Sequence, residues 1–212
     1  MGEPLDRCKR VAIFGGSFDP THNGHLDVAD AALKRHRLDR VIFVPAGQQP
    51  HKRSAPAASG EHRLAMVELA IQDEPHFSAS DCELKRPGRS FTIDTIREFR
   101  GQFGHRAEIF FIVGSDSVAE LPAWKNLRQL AELCTFVVAA RPGWPLDELD
   151  GLSDHLPAER VAAIKDAAIH STANRVSATE IRALVASGDP IAGLVPEPVA
   201  AYITRNKLYR AA

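Results

Sequence analysis

A short apolar strand that ends in two glycines and runs into a helix constrains this chain more than any other feature. Val11-Ala12-Ile13-Phe14 is the kind of run that fills a parallel sheet buried on both faces. Gly15 and Gly16 carry no Cβ, so the backbone there turns sharply and approaches a ligand closely. Asn23-Gly24-His25-Leu26 then opens a helical pattern that continues through Val28, Ala29, Ala32 and Leu33. His22 and His25 therefore fall near a helix N-terminus, where anions are favoured, and their i, i+3 spacing lets both converge on one phosphate. Two other readings fit the same residues. One is a strand, a turn and a capped helix with surface histidines. The other is a metal site of Asp19, His22 and His25, for which no further His or Cys cluster supplies the remaining ligands.

Similar apolar runs recur at Val41 to Val44, Ile109 to Val113 and Phe136 to Ala140, with amphipathic helical stretches between them. That alternation predicts βαβ units and an α/β fold built on a parallel sheet. Ligands of such sheets bind beyond the strand C-termini at a topological switch point, so Gly15 and Gly114, each following a strand, are expected to border one cleft. The Pro-, Ala-, Ser- and Lys/Arg-bearing segment from Gln48 to Gly60 reads as an exposed loop long enough to act as a flap. Glu61 to Ile71 has helical spacing of Leu64, Val67, Ala70 and Ile71, while Arg141 to Pro157 holds Pro142, Gly143, Pro145 and Gly151 and reads as irregular.

A chain of 212 residues buries a large core without disulfides, and one domain spanning 1–212 is expected. Cys8, Cys82 and Cys134 are odd in number and lack metal-type spacing, which fits packing in a reducing cytoplasm. The formal net charge of −1 gives no overall basic field for long nucleic acid. Neither a signal peptide nor a run long enough to span a membrane is visible. Gly-Lys-Ser/Thr and G-x-G-x-x-G are both absent, so neither a Walker loop nor hydride chemistry is indicated.

Near the C-terminus Ser177-Ala178-Thr179-Glu180-Ile181-Arg182 starts a helix that Gly188 and Asp189-Pro190 stop. A capping box of Ser177 and Glu180 explains those two residues without a ligand. Thr179 and Arg182 remain, and with Ser177 and the helix N-terminus they make an anion site suited to a triphosphate. Lys52 on the basic loop is long enough to close over the same charge, or is a solvated surface lysine.

Gly15-Gly16-Ser17-Phe18-Asp19-Pro20-Thr21-His22-Asn23-Gly24-His25 resembles the GGSFDPxHxGH signature of the nucleotidyltransferase superfamily, in the form found in bacterial nicotinate mononucleotide adenylyltransferases. The resemblance continues in order along nearly the whole chain. Glu83 to Ile96 resembles E-x-x-R-x-G-x-S-Y/F-T-x-D-T-L, Gly114-Ser115-Asp116 resembles G-[AS]-D, and Leu121-Pro122-Ala123-Trp124 resembles LPxW. Val176 to Arg182 resembles ISSTxIR, with Ala178 in place of one serine, and Leu194 to Tyr209 resembles the ending LVPxxVxxYIxxxxLY. The departure at Ala178 removes one hydroxyl.

The resemblance implies a Rossmann-like sheet with helices on both faces, a small C-terminal helical part over 177–212, and adenylyl transfer from ATP to nicotinate mononucleotide with Mg²⁺. It implies ATP contacts at Gly15, Gly16, Ser17, Phe18, His22, His25, Gly114, Asp116, Ser177, Thr179 and Arg182, with His22, His25, Lys52 and Arg182 assisting the transfer. It implies an acceptor site at Ser90, Phe91 and Thr92, whose loop presents backbone amides to the pyridine carboxylate, and at Trp124, whose face stacks on the ring. Asp94 reads equally as a first-turn acid that interacts with the helix dipole. The expected partners are ATP and a pyridine mononucleotide, in a cytoplasmic monomer or homo-oligomer. Nicotinamide mononucleotide as acceptor, and a nucleotide sensor without turnover, are the alternatives.

Overall fold

The computed structural model describes residues 8–49, 55–141, 143–170 and 176–210. Six parallel strands form one sheet: β1 (Arg10–Gly16), β2 (Arg40–Pro45), β3 (Phe77–Ala79), β4 (Glu108–Gly114), β5 (Thr135–Ala140) and β6 (Ile169–His170). Their order is β3-β2-β1-β4-β5-β6. The chain thus winds outward from β1 in one direction, then returns to the centre and winds outward from β4 in the other. The switch point lies between β1 and β4, where Arg10 to Phe14 pair in register with Glu108 to Ile112. The four long strands coincide with the apolar runs read from sequence. β3 and β6, of three and two residues, do not show there, because they are too short to carry a pattern.

Alternate residues of the central strands feed two cores. Val11, Ile13, Ile109, Phe111, Val113, Phe136 and Val138 pack with α4 (Thr92–Phe103), α5 (Leu127–Leu133) and α6 (Ala158–Ala167). Ala12, Phe14, Phe110, Ile112, Val137 and Ala139 pack against α1 (Asn23–His36) and α2 (Gly60–Ile71). This explains why the strands read as continuous apolar runs: both faces are covered. A third cluster joins Met66 of α2 to Ile181 of α7 (Ala178–Ser187) and to Val199 and Ile203 of α8 (Glu197–Arg205). The C-terminal helices therefore lean on the main body through α2.

Local signals set the helix ends. Arg37 in the left-handed region, φ 47°, closes α1 four residues beyond Leu33. Ser177 caps α7 by accepting the Glu180 N–H, and Gly188 at φ 81° ends it. Between β5 and α6 the stretch read as irregular contains a 3₁₀ segment, Leu146–Leu152, that buries Leu149 and Leu152. A four-residue turn of helix, α3 (Cys82–Lys85), precedes α4, and a 3₁₀ segment Ser115–Ala123 follows β4. Burial pushes the Cys134 thiol up to about 12, consistent with an inert packing role. No helix among the described residues is long and apolar enough to cross a membrane.

Candidate active site

At the C-terminal edge of β1 and β4 lies a cavity of about 210 Å³. Gly15, Gly16 and Ser17 line it from β1, and Phe111 to Gly114 from β4. Gly15 faces the Phe111 ring, which an added Cβ would meet at 3.2 Å, so the glycine keeps this floor open. Opposite stand Ser90, Phe91, Thr92 and Trp124. Phe91 caps α4, Thr92 opens it, and Ser90 is buried. A parallel bridge between Gln48 and Arg89, with the Ser90 N–H donating to Gln48 O at 2.9 Å, seats that loop beside the end of β2.

Trp124 packs edge-on against Phe111 and Phe136, with centroids 5.9 and 6.3 Å away. The same ring lines the cavity, so it is a core aromatic and a wall at once. Glu83, Gln49, Glu120 and Lys125 also line the cavity. Glu83 accepts from Thr95 Oγ1 at 2.7 Å and from the Gly47 N–H at 3.3 Å, which braces the Ser90 loop against the chain after β2. Glu83 opens the motif read over Glu83 to Ile96 but was given no role there, and Gln49, Glu120 and Lys125 were not singled out, because nothing in their local pattern distinguishes them from surface polar residues.

The histidines occupy a different compartment, beyond the glycine turn and outside the cavity lining. Their rings stack 3.7 Å apart, centroid to centroid, and the Phe18 ring meets that of His25 edge-on at 4.9 Å. Phe18 itself is 1% exposed and wedged against Phe14 and Phe43, so its side chain supports His25 from within the core. The His22 N–H donates to His25 Nδ1 at 3.2 Å. That bond places the His25 proton on Nε2, which is left as a donor. Burial, reinforced by the Arg141 guanidinium, lowers His22 to about 4. Burial and the neighbouring His22 hold His25 well below the ordinary histidine value. Both imidazoles are therefore neutral at pH 7 and able to donate without carrying charge.

Arg141 and Arg182 stand at this end of the sheet. Arg141, just past β5, donates to Asp116 at 3.0 Å, and its backbone N–H is fixed on Ser115 Oγ at 3.3 Å. Asp116 lies outside the cavity lining, exposed and salt-bridged. Arg182 of α7 reaches across to donate to Asp19 O at 2.7 Å and to Thr179 Oγ1 at 3.2 Å. Asp19 is 4% exposed, and its carboxylate accepts from the Ala57 and Ala58 N–H groups and from Tyr209 O–H at 2.6, 3.1 and 2.7 Å. The segment before α2 and the C-terminal tail are thus tied to the glycine-histidine loop at the Asp19 carboxylate, and α7 is tied at the Asp19 backbone carbonyl. Lys52 lies outside the described residues.

No group of three or more His, Cys, Asp or Glu among the described residues is placed to hold a metal ion. Asp19, the acid of the His-containing loop, is already saturated by three donors. Asp116 is exposed with one carboxylate oxygen on Arg141, an oxygen donor of the kind a divalent cation takes.

A glycine-floored cavity at the switch point of a parallel sheet, with donors and guanidinium groups beside it, defines a nucleotide-handling α/β protein. Residues 13–184 match the cytidylyltransferase-like family model. A relative from Moorella thermoacetica named "Probable nicotinate-nucleotide adenylyltransferase" is 41% identical over 97% of this chain and 94% of its own length. A second of that name from Thermomicrobium roseum is 41% identical over 95% and 92%. The chain belongs to the nicotinate-nucleotide adenylyltransferase family. Its fold matches that of the Plasmodium falciparum nicotinic acid mononucleotide adenylyltransferase complexed with NaAD, at TM-score 0.73 and 19% identity, covering 95% of this chain and 97% of that one.

Proposed function

We propose that this protein transfers the adenylyl group of ATP to nicotinate mononucleotide, giving nicotinate adenine dinucleotide and pyrophosphate in NAD biosynthesis. The observation that carries the reading is the division of the cleft. An aromatic and hydroxyl-lined cavity sized for a ring lies on one side of the glycine turn, and a polar end of donors and arginines lies on the other.

In this reading a phosphate oxygen of the mononucleotide attacks the α-phosphorus of ATP. A new P–O bond forms as the bond from the α-phosphorus to the bridging oxygen of pyrophosphate breaks, and the electron pair leaves with that oxygen. The acceptor phosphate, with a second pKa of about 6, is anionic at neutral pH and needs no side-chain base. Catalysis is then positioning and charge stabilisation. The Nε2–H of His25 donates to a phosphate oxygen, His22 supports it, and Arg182 and Arg141 offset the growing charge on pyrophosphate. Gly15, Gly16, Ser17 and Gly114 let the nucleotide backbone lie close to the sheet. Thr179 and Ser177 orient Arg182 and the start of α7. Ser90, Phe91, Thr92 and Trp124 hold the pyridine ring.

Asp116, with one oxygen on Arg141, is the carboxylate that would steady a Mg²⁺ ion brought with ATP. When bound, the cation offsets negative charge on the phosphates. ATP as co-substrate, and cysteines that form no disulfide among the described residues, support a cytoplasmic location. The test is pyrophosphate release from Mg-ATP with nicotinate mononucleotide and, separately, with nicotinamide mononucleotide. Turnover with the acid is expected, and turnover with neither acceptor would remove the reading.

A further inference from the structure

Resting on the cavity as the acceptor site, we propose that Lys125 sets the preference for an acidic acceptor, its ammonium pairing with the carboxylate on the pyridine ring. The cavity wall carries three charged side chains, Glu83, Glu120 and Lys125, so Lys125 is the sole cation among the described residues that line it. A ligand bearing a carboxylate meets repulsion from the two acids unless a cation faces it. Glu83 is held by Thr95 and Gly47 and cannot swing away without breaking both bonds.

Lys125 is held where such a cation is needed. Its Nζ lies 4.4 Å from the centre of the Phe91 ring, at the wall opposite the glycines. It also lies 3.3 Å from Asp94 Oδ2. Asp94 is shared with Arg97, whose Nη1 is 3.5 Å from Oδ1, so Lys125 holds only a share of one carboxylate and, with three N–H donors, keeps capacity for a second. Lys125 directly follows Trp124, and Phe91 and Thr92 begin the 12-residue helix α4, whose positive end adds to the same field. An amide in place of the carboxylate offers the ammonium a neutral carbonyl oxygen and gains less from that charge. The preference is therefore electrostatic, and it weakens as salt rises.

The experiment measures kcat/KM for nicotinate and nicotinamide mononucleotides, at low and high ionic strength, for the unaltered enzyme, Lys125→Met, Lys125→Arg and Asp94→Asn. The unaltered enzyme is expected to prefer the acid. In Lys125→Met the acid-to-amide ratio is expected to fall about tenfold, carried by KM for the acid, as for the loss of one charge-assisted bond. Lys125→Arg should restore most of the ratio, and Asp94→Asn should keep it.

A ratio within twofold of the unaltered enzyme in Lys125→Met overturns the proposal. So does the absence of any acid preference to begin with. Loss of preference in Asp94→Asn matching that in Lys125→Met would assign the effect to the loop that the ion pair braces, and would also overturn it. Failure of the unaltered enzyme with both acceptors removes the adenylyl-transfer reading itself, whereas normal turnover with an unchanged ratio removes only the role of Lys125.

Discussion

At the scale of single residues, the two histidines show how burial selects a protonation state. A charged imidazole would bind a triphosphate more strongly in water, yet His22 at about 4 and His25 below its ordinary value stay neutral. What they offer is direction, since the His22 N–H fixes the His25 tautomer. Replacing His25 by Phe keeps a ring against Phe18 and removes the donor. It should lower kcat by about 10² to 10³ with little change in Tm, and near-normal turnover would remove the role. A linked effect follows for stability. The unfolded chain takes up a proton near 6.5 whereas folded His22 waits until about 4. No penalty exists above 6.5, and it grows as pH falls from 6.5 toward 4, reaching about 3 kcal/mol for this residue. Urea unfolding at pH 7, 6 and 5 should show that loss, and a His22→Gln variant should show a shallower one.

At the scale of elements, the start of α7 was legible because capping is local. Ser177 was read as a cap and does accept the Glu180 N–H, while among the described residues Glu180 makes no return bond to the cap, so the expected box is half-formed. Replacing Ser177 by Ala should cost about 1 kcal/mol in urea unfolding. The guanidinium of Arg182, one turn further on, was assigned to phosphate, and it also holds Asp19 O and Thr179. Arg182→Ala should therefore raise KM for ATP and lower kcat together, since it removes a charge and unties a loop. A change in KM alone would restrict Arg182 to ground-state binding. Phe18 illustrates the opposite case. Inside a ligand-binding signature it looks like a contact, but a side chain 1% exposed acts through the histidine it supports.

At the scale of the whole molecule, Asp19 and Tyr209 are separated by 190 residues and meet at 2.7 Å. The contact closes the C-terminal tail over the loop that carries the histidines. Burial and the adjacent Asp19 carboxylate raise Tyr209 far above its ordinary value, so the hydroxyl remains a donor throughout the working range. Tyr209→Phe removes the donor but keeps the ring and should destabilise the protein by about 1–3 kcal/mol, with kcat falling as the loop loosens. Unchanged stability would show that the Ala57 and Ala58 amides satisfy Asp19 alone.

What the sequence by itself determined is whatever depends on near neighbours. It specified four strands that bury both faces, the glycine turn after β1, the histidine spacing on α1 and the caps of α7, because periodicity, missing Cβ atoms and capping act within a few residues. Only the tertiary structure decided that Arg141 would stand beside His22 and Asp116, that Glu83 would brace Gly47, and that Lys125 would face a cavity floored by Gly15. Those encounters join distant segments, and they arise because the parallel sheet reverses its winding between β1 and β4 and gathers the strand C-termini at one edge.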